Sequence, residues 1–445
     1  YKYNLIFLVI YGIIPIFKKG GPNMKIVTLS AEEFDHFADN HKYRNYYQTS
    51  AYGNLMRKHG FEVNYLGFKS SDGNLIGASL LLSKNLFGKY RYAYAPHGFL
   101  IDYNDPDLIN ELADKLQKLL LKQQYIFLKI DPLIHCSERN KKGVALNYNP
   151  KVNLTLEILK KAGFEHHGFN KYFETLKPRW NAVLRLDRPA DMLFLSFDKQ
   201  IRNKLRKAKR CGVEVYQGTA NDIPLFYDFI KKKHNRNLKY YQDFNEAFQK
   251  NQNFEIYLAK INPQTLILTT KTDYERELRL NDEYNFAIQD YNSKRKNVKR
   301  AINRKMTSDR LLASYKERLI HATNLLKEHP DGIVIAACAI VKYDKGINLL
   351  IEGCNSKYSS FNPNYLLKWA LIQKFSKLGY HYFNLNAITG EFNVHNKYSG
   401  LNEAKLGFNA TAIEFIGEFD FIINPTMYQL SQTNFIRRKI AKKAS

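Results

Sequence analysis

The chain has 445 residues, of which 44% are hydrophobic, so it is long enough for two or three lobes and too apolar to be largely disordered. Its net charge of +26 favours partners that carry phosphates: nucleic acid, nucleotide-linked substrates or an anionic membrane surface. An AT-rich genome would produce the same lysine excess, so the charge does not choose among these partners. The four cysteines form no C-x-x-C pair, which supports neither a disulfide framework nor a structural metal site and indicates a reducing cytoplasm.

The first 23 residues differ in character from the rest of the chain. Leu5 to Phe17 is an apolar run that is short for a membrane span of roughly 20 residues, and it lacks the basic start and cleavage site of a secretory signal. Met24 opens a segment typical of a cytoplasmic start, so we interpret residues 1–23 as an upstream extension or a mis-set start. A membrane-contacting anchor is the alternative. Beyond it, Ser30 followed by Glu33 predicts a capped helix start.

Two stretches of the chain repeat one order of elements. Residues 75–132 and 332–388 each predict two alternating strands, a helix that opens near a proline, and an apolar strand that ends in polar residues. A repeat of this length predicts an α/β protein with two similar halves that face each other across a cleft. The predicted divisions are 24–179 for the first half, 180–270 and 330–445 for the second half, and 271–329 for an insertion.

The second half opens with a strongly basic helix within residues 197–216. Ile201, Leu205 and Ala208 form its predicted buried stripe, and seven Lys and Arg residues, among them Arg202 and Arg206, cover the rest. This pattern fits either a solvated surface helix or a helix that faces phosphates.

The inserted segment is helical in pattern. No Gly or Pro lies between Thr272 and Glu328, and two apolar stripes at 3–4 spacing predict an antiparallel helical hairpin, a coiled-coil arm. Thr307 to Asp309 predicts the break between its helices, with Thr307 or Ser308 as the next N-cap. A basic cluster near one end is either a solubility-conferring spacer or an RNA-backbone contact. Its members are Lys294, Arg295, Lys296, Lys299, Arg300, Arg304 and Lys305.

The sequence has no P-loop, no GxGxxG at a helix start, no HExxH and no GxSxG elbow. This absence favours a transferase whose substrates bring their own reactivity, or a binding protein. The segment 382–420 follows the last strand of the second repeat, at the sheet edge where α/β proteins bind ligands, and it is rich in turn formers and side-chain donors.

Six segments follow one another in a specific order. They are YYQTSAYGNLMRKHGF, YAPHGFLID, LKIDP, IRNKLRKAKRCGVEV, KKKHNRNLKYY and NLNAITGEF…YSGLNEAKLGF…IEFIGEFDF. From Met24 onward the chain thereby resembles the FemABX family of tRNA-dependent aminoacyltransferases, which build peptidoglycan side chains and cross-bridges, in its MurM-like or FemA/B-like group. The resemblance implies two acetyltransferase-like (GNAT-like) halves and a helical arm.

The resemblance also implies a reaction. An amino acid would pass from aminoacyl-tRNA to the stem-peptide amine of a peptidoglycan precursor, either lipid II or UDP-MurNAc-pentapeptide, without a metal or other cofactor. The acyl ester is already activated, so the enzyme mainly positions the amine and neutralises charge. Peripheral contact with the cytoplasmic face of the membrane is a further expectation. A non-catalytic tRNA- or membrane-binding protein of this fold and an acyl-CoA-dependent acyltransferase are the alternatives, although the chain lacks a clear Q/RxxGxG/A loop.

Three residues match functional positions of the family. Lys405 matches a lysine associated with catalysis, Asp131 of LKIDP is a candidate proton acceptor for the attacking ammonium, and Arg236 matches an arginine associated with the precursor's pyrophosphate. Each has a structural alternative: an exposed lysine, an Asp-Pro turn and a helix-capping arginine. The other candidate substrate-binding residues are Arg57, Tyr52, Asn386, Arg202 and Arg206.

Four positions depart from the family pattern. Met56, followed by Arg57, stands near the family's N-terminal lysine, and Tyr52 stands for a tryptophan. His97 replaces the arginine and Phe99 the second proline of YxPRGPxxD. These departures leave the precursor contacts open.

Overall fold

The computed structural model describes residues 24–432, except 234, 252 and 294–297. The strands in these residues are β1 Lys25–Thr28, β2 Glu62–Lys69, β3 Leu75–Phe87, β4 Tyr90–Ala95, β5 Tyr125–Ile130, β6 His135–Arg139, β7 Ala145–Tyr148, β8 Phe164–His166, β9 Trp180–Arg185, β10 Val213–Gln217, β11 Phe254–Ile261, β12 Ile333–Tyr343, β13 Gly346–Cys354, β14 Tyr382–Ala387, β15 Thr411–Phe415 and β16 Phe419–Ile422. The helices are α1 Ala31–Asn40, α2 Ser50–Lys58, α3 Pro106–Lys122, α4 Val152–Lys161, α5 Ala190–Ser196, α6 Lys199–Arg210, α7 Ile223–Ile230, α8 Leu238–Ala247, α9 Pro263–Ser293, α10 Lys299–Glu328, α11 Pro363–Lys377, α12 Ser399–Leu406 and α13 Pro425–Ser431.

The strands form two mixed sheets, which confirms the α/β class. The first has the order β1-β2-β3-β4-β5-β16-β8, and the second has the order β10-β11-β12-β13-β14-β9-β15-β6-β7. The sheets exchange strands across the predicted divisions, because β6 and β7 extend the second sheet and β16 lies inside the first. The chain pattern could not reveal this exchange, since pairing partners far apart in sequence leave no local signal.

The repeat predicted from the sequence has the same topology in both places. β3 and β4 pair antiparallel and β5 returns parallel to β4. Likewise β12 and β13 pair antiparallel and β14 returns parallel to β13. In each unit the connecting helix, α3 or α11, begins at a proline. In the second unit β13 and β14 pair only over Gly346–Asn348 with Tyr382–Asn384 and then diverge.

The inserted segment is a pair of long helices, α9 and α10, that contact each other along their length. The predicted break at 307–309 is wrong, because α10 runs through it from Lys299 to Glu328. Thr307 Oγ1 donates to the carbonyl of Asn303 (2.9 Å), and Asp309 pairs with Lys305 one turn earlier (2.9 Å), so two of the three polar residues are bonded within the helix. The hydroxyl of Ser308 is buried without a hydrogen-bond partner among the described residues. The first helix begins at Pro263, before the predicted 271, where Asn262 Oδ1 accepts from the Thr265 amide (3.1 Å).

One core cluster joins the two halves. It packs α1 and α2 residues, such as Phe34 and Leu55, against α7, α8 and β11 residues, such as Phe226, Phe244 and Ile256. Burial of this kind holds the two sheets in a fixed relation on either side of the cleft. In the described part of the chain, no helix is long and apolar enough to cross a membrane.

Candidate active site

The two halves enclose a cleft made of three adjoining spaces. The largest, about 600 Å³, is lined from the first half by Tyr47 and His97 and from the second by Asn386. A space of about 340 Å³ shares Tyr47 and Asn386 and adds Arg236. A narrow third space reaches His97 and Asp131. We call these the wide, the arginine and the narrow cavity.

Asp131 directly follows β5 and is buried beside the narrow cavity. Its carboxylate accepts hydrogen bonds from the His97 amide (2.6 Å) and the Tyr94 hydroxyl (2.8 Å). Burial raises the pKa of Asp131 to about 6, although these hydrogen bonds oppose the rise. A carboxylate with such a pKa can accept a proton near neutral pH.

His97 stands next to this carboxylate as a neutral ring. Its Nδ1 lies 3.1 Å from the Asp131 carbonyl oxygen, and its ring lies edge-on to Tyr47 at 4.9 Å between centroids. Burial lowers the pKa of His97 to about 3, so the imidazole is uncharged at neutral pH. The departure from arginine at this position therefore removes a positive charge.

Lys405 lies on α12 and is almost fully buried. Its Nζ donates to the carbonyl of Ala387 (2.7 Å), the last residue of β14, and Ala387 lines the arginine cavity. Burial lowers the pKa of Lys405 to about 8, against the opposing effect of the Glu352 carboxylate. Lys405 thus contacts the cleft indirectly, by its hydrogen bond to the backbone at the end of β14. Its ammonium can carry or release a proton near neutral pH.

Asn386 bridges the point where β13 and β14 diverge. It has a left-handed backbone conformation (φ 68°), and its Nδ2 donates to the carbonyls of Leu349 (2.9 Å) and Leu350 (3.1 Å). Arg236 lies on the far wall of the arginine cavity, with its guanidinium 4.4 Å from the Tyr240 ring centroid. A guanidinium held on an aromatic face is a suitable group for phosphate oxygens.

The comparisons with known proteins give one family. The FemAB family model matches residues 29–434. The chain belongs to the FemAB family. Aminoacyltransferase FemA of Staphylococcus epidermidis is 27% identical over 417 residues, which cover 92% of this chain and 99% of the relative. Aminoacyltransferase FemA of Staphylococcus aureus (strain bovine RF122 / ET3-1) is 26% identical over 420 residues, covering 91% and 97%. The crystal structure of FemX has the same fold, with a TM-score of 0.69, 21% identity and coverage of 91% and 99%.

Within this FemAB-family cleft, Asp131, Arg236 and Asn386 are the predicted residues that line a cavity. Tyr52 is buried behind the wall, edge-on to the rings of Tyr46 and Tyr47, and supports them.

Three other predicted residues lie outside the three cavities. Arg57 is exposed on α2, where it bonds Asn54 (2.7 Å), while its neighbour Met56 is buried in the core. Arg202 and Arg206 lie on α6, where Arg202 donates to the Leu195 carbonyl (2.6 Å). As predicted, Ile201, Leu205 and Ala208 are the buried stripe of that helix.

The basic cluster of the arm is described only in part. Lys294, Arg295 and Lys296 lie outside the described residues. Lys299, Arg300 and Arg304 line an open groove between α9 and α10, and Lys305 pairs with Asp309 (2.9 Å). No group of His, Cys, Asp and Glu side chains in the described ranges could hold a metal ion.

Sequence reasoning missed two residues of the cleft, Tyr47 and Lys177. Both line the wide and the arginine cavities, and Lys177 also lines the narrow one. Lys177 opens a Lys-Pro-Arg triplet immediately before β9. It was missed because it lies outside the six segments that resemble the family.

Proposed function

We propose that the chain transfers an amino acid from aminoacyl-tRNA to an amine on the stem peptide of a peptidoglycan precursor. Membership of the FemAB family, with aminoacyltransferase relatives matched along nearly their whole length, supports the aminoacyltransferase activity. The observation that carries the proposal is the cleft between the halves, which brings a buried carboxylate with a pKa near neutrality close to the walls that carry Arg236 and the end of β14.

In the proposed reaction the acceptor ammonium loses a proton to the Asp131 carboxylate, and the resulting amine attacks the ester carbonyl. The C–N bond forms, the C–O bond to the ribose breaks, and the ribose oxygen takes up a proton as the second amine proton leaves. Lys405 fixes the Ala387 backbone at the cleft and carries positive charge near the developing oxyanion. Arg236 would bind the precursor's pyrophosphate.

The donor's phosphates need a second basic surface. We assign this role to the arm cluster, including Lys299, Arg300 and Arg304, and to Arg202 and Arg206 of α6. The exposed cations of the arm support a contact with the tRNA backbone. The high positive charge of the chain also favours peripheral contact with an anionic membrane face, which co-sedimentation with anionic vesicles in rising salt would test.

A transfer assay tests the proposal. Total tRNA charged with radiolabelled amino acids is offered together with lipid II or UDP-MurNAc-pentapeptide in parallel reactions. Label on either acceptor establishes the reaction and identifies the acceptor, and acetyl-CoA in place of the charged tRNA tests the alternative donor. Absence of label from both acceptors, with folded protein that binds tRNA, would overturn the proposal in favour of a binding role.

A further inference from the structure

The three cavities of the cleft meet at Lys177 and Pro178. Of these two residues, Lys177 carries a charge. It lies on the segment before β9, and the buried Arg179 two residues later anchors that segment by an ion pair with Glu414. The Lys177 ammonium lies 4.0 Å from the centroid of the Tyr47 ring. Its position in the cleft is therefore set by the fold on one side and by an aromatic face on the other.

Lys177 forms no ion pair with a carboxylate of the described residues, although Asp131 and Glu418 line the narrow cavity with it. Within residues 24–432, leaving aside the undescribed positions, no Asp or Glu oxygen lies within 4.0 Å of its Nζ. By contrast, Lys42, Arg44 and Arg185, which also line the wide cavity, each have such a carboxylate, at 3.2, 2.9 and 3.9 Å. A half-buried ammonium without a counterion favours an anionic ligand, because the ligand replaces the water lost on burial.

The charged groups around Lys177 come from both halves. Asp131 and His97 belong to the first sheet and its following loops, and the positive charge of Lys177 lowers the pKa of both groups. Arg236, from the second half, lines the arginine cavity with Lys177. His97 is uncharged, and Lys177 and Arg236 are the described charged side chains that line the arginine cavity.

We propose that Lys177 binds a carboxylate of the acceptor's stem peptide. The inference rests on the proposed function, in which Arg236 holds the pyrophosphate of the same acceptor. A planar guanidinium suits the phosphate oxygens, and a single ammonium suits a peptide carboxylate farther along the cleft. Arg236 would then bind the pyrophosphate and Lys177 the carboxylate of one extended molecule. Because both cations line one cavity, these two contacts fix the acceptor's direction across the cleft.

The test compares the wild type with Lys177→Met, Lys177→Gln and Lys177→Arg in the full chain. Acceptors are UDP-MurNAc-pentapeptide, its C-terminal amide, its amide at the acidic second residue, and the nucleotide-free pentapeptide. For the acceptor with all its carboxylates, we expect Lys177→Met to raise KM about 10- to 100-fold, with partial rescue by Lys177→Arg. In one of the two amidated acceptors, the amide replaces the carboxylate that Lys177 binds. For that acceptor, Lys177→Met and the wild type should have equal KM.

The matched control is Lys142→Met, on the exposed turn between β6 and β7, which should leave KM unchanged. A penalty that persists with both amides and disappears only with the nucleotide-free peptide would assign the anion to the pyrophosphate and overturn the carboxylate assignment. A shift of the acidic limb of kcat without a change in KM would mean that Lys177 acts only through Asp131, which also overturns it.

The failure of this inference differs from a failure of the proposed function. If the wild type transfers amino acids and the Lys177 variants have unchanged KM, only the inference is wrong. If the wild type transfers nothing, calorimetric binding of the same four acceptors to wild type and Lys177→Gln still tests the carboxylate contact, and equal affinities would overturn it.

Discussion

The two repeated units have one topology but end differently. In the first, the parallel pairing of β4 and β5 continues to Ala95 and Ile130, and the closed ladder leads directly into the buried Asp131. In the second, β13 and β14 part after three residue pairs, and Asn386 spans the gap. The closed unit provides a rigid support for an ionisable group, and the open unit provides space and backbone groups for a ligand. One supersecondary unit therefore serves two tasks, according to how far its last strands stay paired.

The largest effect should come from the open unit, through Lys405. We expect Lys405→Met to lower the transfer rate by about 10³-fold, because charge near the oxyanion is lost. The fold should be retained, since a buried ammonium is replaced by an apolar side chain of similar length. Single-turnover transfer and thermal unfolding of the same preparation check both statements. Retained activity would remove Lys405 from the site.

The closed unit should respond through Asp131, and in a pH-dependent way. Asp131→Asn should lower transfer by about 10²-fold at pH 7.5. In the wild type, the rate should fall as pH drops through about 6, because protonation of the carboxylate removes the proton acceptor. A pH–rate profile of the wild type without this limb would contradict the role. The glutamate variant Asp131→Glu serves as the conservative control.

Burial of Asp131 also predicts a stability effect of defined sign. The pKa is raised from 3.8 to about 6 on folding, so the native state binds the proton more tightly, and the free energy of unfolding falls as pH rises from about 4 to about 6. Asp131→Asn should remove this part of the pH dependence. Urea unfolding of both proteins at pH 4.5 and pH 7 measures it. An unchanged difference between the two pH values would contradict the burial of an ionised carboxylate.

Substitutions of Asn386, which spans the gap between β13 and β14, should lower the free energy of unfolding by a smaller amount. Asn386→Ala loses three side-chain hydrogen bonds and places alanine, which tolerates the left-handed region less well than asparagine, at φ 68°, so we expect a loss of about 2 kcal/mol in the free energy of unfolding. Asn386→Gly loses the same bonds without backbone strain and should cost less. Equal losses would mean that the strain at this position is negligible.

The smallest stability effect should come from the arm, which belongs to neither unit. Lys305→Ala breaks a surface ion pair with Asp309 and should leave the free energy of unfolding nearly unchanged, because water screens an exposed pair. If the arm contacts tRNA, the Lys305→Ala variant should bind tRNA more weakly than the wild type. The salt dependence of its tRNA binding should weaken by about one counterion. Titrations at several salt concentrations measure this slope, and an unchanged slope would remove Lys305 from the tRNA contact.

The sequence predicted correctly those features that depend on neighbouring residues, such as helix caps and the order of strands and helices. The capping box of Ser30 and Glu33 is present, and both repeats have the predicted elements. The break at 307–309 was wrong because a helix can absorb polar residues when a hydroxyl bonds the preceding turn.

The candidate site was predictable only where a motif fixed a residue. Asp131 and Arg236 stood in motif segments and do line the cleft. Arg57 also stands in a motif segment but does not line the cleft, because α2 directs its side chain outward and buries its neighbour Met56 instead. Lys177 was missed because its importance arises from cavities formed by segments far apart in the chain.

The strand exchange between the sheets has a consequence for how the chain is made. β8 pairs only with β16 in the described ladders, and β5 needs β16 on one side. Both wait for residues 419–422, so the first sheet stays incomplete until this strand, far downstream of β5 and β8, has left the ribosome. During synthesis the edge of β5 remains open to other chains, and folding of the first half is completed by a strand that is translated long after it.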